Sequence, residues 1–87
     1  MQIWKWGLSP IDLQSLAMPD GAKPLALQMQ NGEPQLWAVV DETAPLVHRH
    51  FATYGTGQPM PEGNPGQYIG TYQLRDGALV FHVFEVD

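Results

Sequence analysis

Apolar residues recur at every second position along much of this chain, the spacing of a strand with one face on a core. From Gln2 to Leu8 they fall at Trp4, Trp6 and Leu8, with Ile3 and Lys5 on the opposite face. Pro24 to Gln30 alternates with Leu25, Leu27 and Met29 inward and Ala26, Gln28 and Gln30 outward. Asn31-Gly32 then turns the chain into Gln35–Asp41, because this pair tolerates the left-handed backbone of a tight hairpin. Leu46 to Tyr54 is a further strand with a weaker pattern. Pro10–Ala17 carries a helix option, with Ser9 as cap and Pro10 in the first turn. A strand over Ser15–Met18, with Leu16 and Met18 inward, is preferred, and Met18-Pro-Asp-Gly21 turns the chain after it.

The C-terminal hairpin, Tyr68 to Glu85, differs from the rest. Its two β-rich runs are joined by Arg75-Asp76-Gly77, where the Asp-Gly pair is a strong hairpin signal. In the second run Leu79, Phe81 and Val83 point one way, and Val80, Phe84 and Val86 point the other. His82 is the one polar member of that second face. A strand apolar on both faces belongs in the middle of a structure, between two layers or beneath a partner chain.

Eight prolines and nine glycines interrupt the apolar runs so often that helices of ordinary length do not fit between them. The expected fold is therefore all-β: six or seven short antiparallel strands in a small sandwich or partly open barrel. Eighty-seven residues without repeat or linker make one domain, residues 1–87. A chain of this size buries only about 60–65% of its unfolded surface, so its stability leans on a compact core or on association.

Charge and composition narrow the function classes. A net charge of −5 argues against a nucleic-acid-binding surface. The absence of cysteine removes disulfides, thiolate metal sites and a cysteine nucleophile together. No apolar run approaches the roughly 20 residues of a membrane-spanning helix, so a soluble cytoplasmic protein is the default.

The chain carries, in order, Ile3-Trp4-Lys5-Trp6, Met18-Pro-Asp-Gly-Ala22, Gln28-Met-Gln-Asn-Gly32 and Leu36-Trp-Ala-Val-Val-Asp41. Tyr54-Gly-Thr-Gly57, Tyr68-Ile-Gly-Thr71 and Gly77-Ala-Leu-Val-Phe-His-Val-Phe-Glu85 follow. Together these segments, across nearly the whole chain, resemble a family of short proteins encoded by bacteriophages and prophages. The resemblance implies a setting, a phage accessory protein in the cytoplasm of a host bacterium. It carries no catalytic residues with it.

Candidate chemistry is sparse. His48 and His50 share one strand face, and His82 could join them as a third imidazole ligand for zinc or nickel. The plainer alternative, two solvent-facing histidines and one hydrogen-bonded histidine, is favoured, so no metal and no cofactor are expected. Asp41-Glu42 supplies two carboxylates, but acid–base work needs them facing each other across a cleft. Gly55-Thr-Gly57 lacks the lysine and the following helix of a phosphate loop. An enzyme is not expected.

The better candidate is the loop Gly55–Gly66, since binding residues concentrate on long loops of small scaffolds. Tyr54 and Met60 would give apolar contact, with Gln58, Glu62 and Asn64 as a polar rim. A plain connection between sheets is the equal alternative. Trp4, Trp6 and Trp37 are expected mostly in the core, with one or two at an interface. The resulting expectation is a protein that binds a host or phage protein, inhibiting or modulating it, with a bacterial defence protein as one form. A minor virion component is the alternative and a metal- or small-ligand-binding module the third. A homodimer through the C-terminal hairpin is also expected.

Overall fold

The computed structural model describes residues 1–87 as seven strands and no helix. They are β1 Gln2–Gly7, β2 Leu13–Pro19, β3 Lys23–Gln30, β4 Glu33–Val40, β5 Leu46–Gly55, β6 Gln67–Leu74 and β7 Leu79–Val86. Two antiparallel sheets form, β1-β4-β3 and β2-β5-β7-β6, and they do not close into a barrel. Of the two expected architectures, the sandwich is the one formed. The strand option at Ser15–Met18 holds, extended back to Leu13. Its helical alternative does not form, and Ser9 and Gln14 instead exchange two hydrogen bonds of 3.1 and 2.8 Å across the β1–β2 connection.

Alternation decides which side chains enter the core. Trp4, Trp6 and Leu8 face inward from β1, as do Leu36, Ala38 and Val40 from β4. In the four-stranded sheet Leu16, Met18, Phe51, Val83, Phe81 and Tyr72 face them. Full burial of a side chain the size of Phe51, Met18 or Leu36 stabilises the fold by about 1.5–3 kcal/mol. The core is thin: 15 of 87 residues are buried, and the molecule measures 40 × 33 × 16 Å. Half-covered side chains on the two broad faces are the consequence.

The expected alternation of β3 needs correction. Leu27 is buried, but Leu25 is 55% exposed and Met29 38% exposed. A β-bulge between Pro24 and Ala26 inserts Leu25 as an extra residue opposite β4. Pro24 pairs with inward Ala38, Ala26 with outward Trp37, and Leu27 returns inward beside Leu36. Met29 keeps the inward parity but lies opposite Pro34 at the turn end of the hairpin, beside Asn31-Gly32. Trp37 is half-buried on the outer side, leaving Trp4 and Trp6 as the tryptophans against the core.

A second bulge, between Tyr68 and Gly70, does the same in β6. The two bulges lie where β3 runs beside β6 and the sheets come closest. A Cβ on Gly70 would sit 2.8 Å from Leu27 Cβ, too close for any side chain. At the opposite side of the sandwich, the Trp6 indole N–H donates to the Ala17 carbonyl at 3.0 Å, closing β1 onto the free edge of β2.

One ion pair lies between the layers. Arg49 points inward from β5 and grips Glu85 of β7 with two parallel bonds, 2.6 and 2.7 Å long. Its remaining terminal nitrogen donates to the Ala22 carbonyl in the β2–β3 turn. The hydrogen bonds that Arg49 donates to Glu85 hold the guanidinium pKa above its ordinary value. Three hydrogen bonds offset the cost of placing this charge where only about a fifth of it meets water. The pattern of β5 reads weakly in sequence because Arg49 and Thr53 occupy inward positions.

The hairpin turns follow the expected chemistry. Asn31 and Gly32 adopt φ of 52° and 80°. The β6–β7 turn runs one residue longer than Arg75-Asp76-Gly77, through Ala78, with Arg75 and Asp76 both at positive φ. Strand β7 is central, flanked by β5 and β6, as its two apolar faces require.

Two outcomes test this packing. Gly70→Ala is expected to lower stability by about 1–3 kcal/mol in urea unfolding, since Leu27 cannot move without opening the sheets. Tyr72 is buried, and its hydroxyl has no partner. Burial raises its pKa. The folded state therefore resists ionisation, and stability is lost as pH rises above the unfolded tyrosine value near 10. Tyr72→Phe is expected to keep or raise stability at neutral pH and to move the alkaline unfolding midpoint upward.

Candidate functional site

The outward face of β2-β5-β7-β6 carries the densest set of functional side chains. Register places them in rows across the sheet: Leu13, Ala52, Phe84 and Tyr68 in one, Tyr54, His82 and Thr71 in the next. Phe84 receives both tyrosines edge-on, with ring centroids 6.0 Å from Tyr54 and 5.5 Å from Tyr68. The bulge in β6 makes this possible. It keeps Tyr68 outward while Gly70, Tyr72 and Leu74 turn to the interior.

A chain of polar groups lies beside the aromatic cluster. His82 Nε2 is 2.7 Å from Thr56 Oγ1, and its Nδ1 is 2.9 Å from Thr71 Oγ1. Thr71 Oγ1 is in turn 2.5 Å from the Tyr68 hydroxyl. A neutral imidazole donates through one nitrogen and accepts through the other, so the two threonine hydroxyls take complementary roles. Both ring nitrogens are occupied within the fold, which fixes the ring orientation over the sheet.

Where β2 has ended, Ala52 floors a shallow depression between Leu13 on one side and Tyr54 and Val86 on the other. Asp12, Gln58 and Pro59 complete its rim. No Lys or Arg lies in register on this face. The arrangement offers apolar and aromatic contact ringed by hydroxyls, an amide and a carboxylate. It holds no group poised as nucleophile with an anion-stabilising partner across a closed pocket.

The five residues expected to bind are divided by the structure. Tyr54 and Gln58 reach the depression, Tyr54 as wall and Gln58 as rim. Gln58 is held by its own loop, its Oε1 accepting from the Gly55 N–H at 2.7 Å. Met60 and Glu62 are exposed further along the loop and line no depression. Asn64 lies at a separate polar hollow with Glu85 and Asp87, where its Oδ1 accepts from the Gly66 N–H at 3.0 Å. The loop enters β6 through Gly66 at φ 101°, where a Cβ would meet the Glu85 carbonyl at 2.2 Å.

The histidines do not converge. His50 lies opposite Val86 and His82 opposite Tyr54, so four strand positions, roughly 13 Å at the usual rise per residue, separate them along the sheet. No group of three or more His, Asp or Glu side chains is placed to hold a metal ion. Asp41 and Glu42 sit in the exposed β4–β5 turn rather than across a cleft. Asp41 accepts from both the hydroxyl and the N–H of Thr43, which lowers its pKa. Thr56, at the centre of the Gly55-Thr-Gly57 segment, is committed to His82 and precedes no helix.

Sequence reading names Tyr54 as a candidate but not the side chains that surround it. The alternation of β7 already put Val80, His82, Phe84 and Val86 on one face. Tyr68 could not be added, because the bulge at Ile69 breaks its phase with Thr71. Phe84→Leu removes both edge-on pairs, each worth roughly 0.5–1.5 kcal/mol beyond area burial. The expected result is a loss of about 1–3 kcal/mol in denaturant unfolding, with a weakened near-ultraviolet dichroism from the tyrosines.

The chain belongs to the family described as Domain of unknown function (DUF7352), whose model matches residues 1–87. No curated protein and no solved structure gives a significant match. No helix is long and apolar enough to cross a membrane.

Proposed function

We propose that this member of the DUF7352 family is a non-catalytic accessory protein of a phage or prophage that binds a host protein in the bacterial cytoplasm and modulates or inhibits it. The phage setting rests on the resemblance of the segments from Ile3-Trp4-Lys5-Trp6 through Gly77–Glu85 to short phage-encoded proteins. The binding mode rests on one observation: the aromatic face built by Tyr54, Phe84 and Tyr68 stays half-open, with Leu13 exposed beside it. Tyrosine and phenylalanine held rigid on strands lose little entropy on binding, which is why such side chains dominate interface hot spots. The depression floored by Ala52 would take one apolar side chain of the partner, with Gln58 and Asp12 supplying polar contacts at its rim. Met60, exposed on the loop that follows, would widen the contact, and Glu62 and Asn64 would lie at its margin.

An affinity pull-down of the tagged chain from host lysate and from infected cells, read by mass spectrometry, tests the reading. The expected outcome is one host protein retained in stoichiometric amount, lost on Leu13→Asp and reduced at least tenfold in affinity by Tyr54→Ala, a hot-spot-sized effect. Retention of virion proteins alone would replace this reading with that of a structural component. A retained partner that ignores Leu13→Asp and Tyr54→Ala but is lost on Met60→Ala with Asn64→Ala would move the site to the loop.

A further inference from the structure

The chain has two asparagines, and the structure gives them opposite chemical fates. Asparagine is labile because the backbone nitrogen of the next residue can attack its side-chain amide carbon. Asn64 is protected twice. The next nitrogen belongs to Pro65 and carries no hydrogen to lose, and Asn64 Oδ1 is held by the Gly66 N–H at 3.0 Å. Asn31 has neither protection. It is exposed at the tip of the β3–β4 hairpin, its side chain makes no hydrogen bond, and Gly32 follows it. The Gly32 N–H takes no part in the strand ladder or in a turn bond. The space around Gly32 is open, with no atom within 4 Å of where a Cβ would stand. Asp20 and Asp76 also precede glycines, but an ionised carboxylate is a poor electrophile, and the Gly77 N–H is spent on the Leu74 carbonyl at 3.2 Å.

We propose that Asn31-Gly32 is a site of spontaneous covalent modification, at which Asn31 deamidates through a cyclic imide and so ages the β3–β4 hairpin. The Gly32 nitrogen loses its proton to hydroxide and bonds to Asn31 Cγ. The bond from Cγ to the side-chain nitrogen breaks, and that nitrogen leaves as ammonia with a proton taken from water. Water then opens the ring. Attack at Cγ restores the chain with aspartate, whereas attack at the backbone carbonyl carbon leaves isoaspartate, whose chain runs through Cβ and Cγ. Overall one water is consumed and one ammonia released, with no oxidant or reductant. The two products bear differently on the fold. Aspartate tolerates the left-handed backbone that Asn31 adopts at φ 52°, so this form keeps the turn and gains a negative charge close to Glu33. Isoaspartate lengthens the backbone of a two-residue connection that fixes the pairing of Gln30 with Glu33. The misfit passes along the ladder towards Leu27 and Leu36 in the core. The hairpin tip lies on the three-stranded sheet, away from the aromatic face, so the modification stands apart from the proposed binding role.

Tandem mass spectrometry of peptides from the full chain, after the folded protein is aged at physiological temperature from neutral to mildly alkaline pH, reads the reaction. The expected result is the mass gain of amide-to-acid conversion at Asn31 alone, with aspartate and isoaspartate both present and ammonia released in step. The rate is expected to rise in proportion to hydroxide, since the attacking nitrogen must lose a proton. Asn31→Gly keeps a residue pair suited to this turn, and is expected to fold as the parent does and to release no ammonia. The isoaspartate fraction is expected to unfold at a lower urea concentration than the aspartate fraction. Asn31 left intact in the folded chain while it converts in the urea-unfolded chain overturns the proposal, because the fold would then forbid the attack. Conversion of Asn64 at an equal rate overturns it by removing the selectivity of the turn. Aspartate as the sole product overturns it by replacing ring closure with direct hydrolysis. An isoaspartate form that unfolds at the same urea concentration as the aspartate form overturns the consequence for the hairpin.

Discussion

The contact of Leu27 with the bare backbone of Gly70 sets the spacing of the two sheets, and much of the molecule follows from it. A sandwich of seven short strands has little volume in which to bury side chains, so its layers must approach closely somewhere. That place is the border of β3 and β6, where glycine admits a leucine side chain at a distance no Cβ would tolerate. Each of these strands carries a bulge just before the contact, at Leu25 and at Ile69. Without the first, Pro24 and Leu27 could not both face inward. Without the second, Tyr68 could not face outward while Gly70 faces in. The same device thus closes the core and supplies the outer face with its second tyrosine.

The other fastenings divide the work. Trp6 closes the opposite border through its bond to Ala17, leaving the β1 and β2 edges less open to strand addition. Arg49 ties the β2–β3 turn to β7 through Ala22 and Glu85, and its charge is tolerated only because every donor it directs inward finds an acceptor. A hydrophobic residue of similar volume would pack there too. The ion pair therefore speaks more to a fixed alignment of the layers than to net stability.

The thin core leaves both broad faces partly uncovered. A sheet four strands wide with a partner layer three strands wide exposes a broad outer surface, and here that surface is aromatic rather than charged. His82 anchors it by spending both ring nitrogens on threonine hydroxyls, so the imidazole acts as a strut for Thr56, Thr71 and Tyr68.

What the sequence determined by itself was local. Alternation at Trp4, Trp6 and Leu8, the Asn31-Gly32 turn and the doubly apolar run from Leu79 to Val86 specified strands, hairpins and a central β7, since each depends only on neighbours along the chain. The two-layer arrangement, the inward Arg49 with its distant partner Glu85, and the meeting of Tyr54, Tyr68 and Phe84 were decided by tertiary structure. Those pairings join residues far apart in sequence, and two bulges shift the phase between them. Period-two reading holds only while no residue is added to a strand. An added residue such as Leu25 or Ile69 has no local signature, because what calls for it is the opposite strand and the opposite sheet.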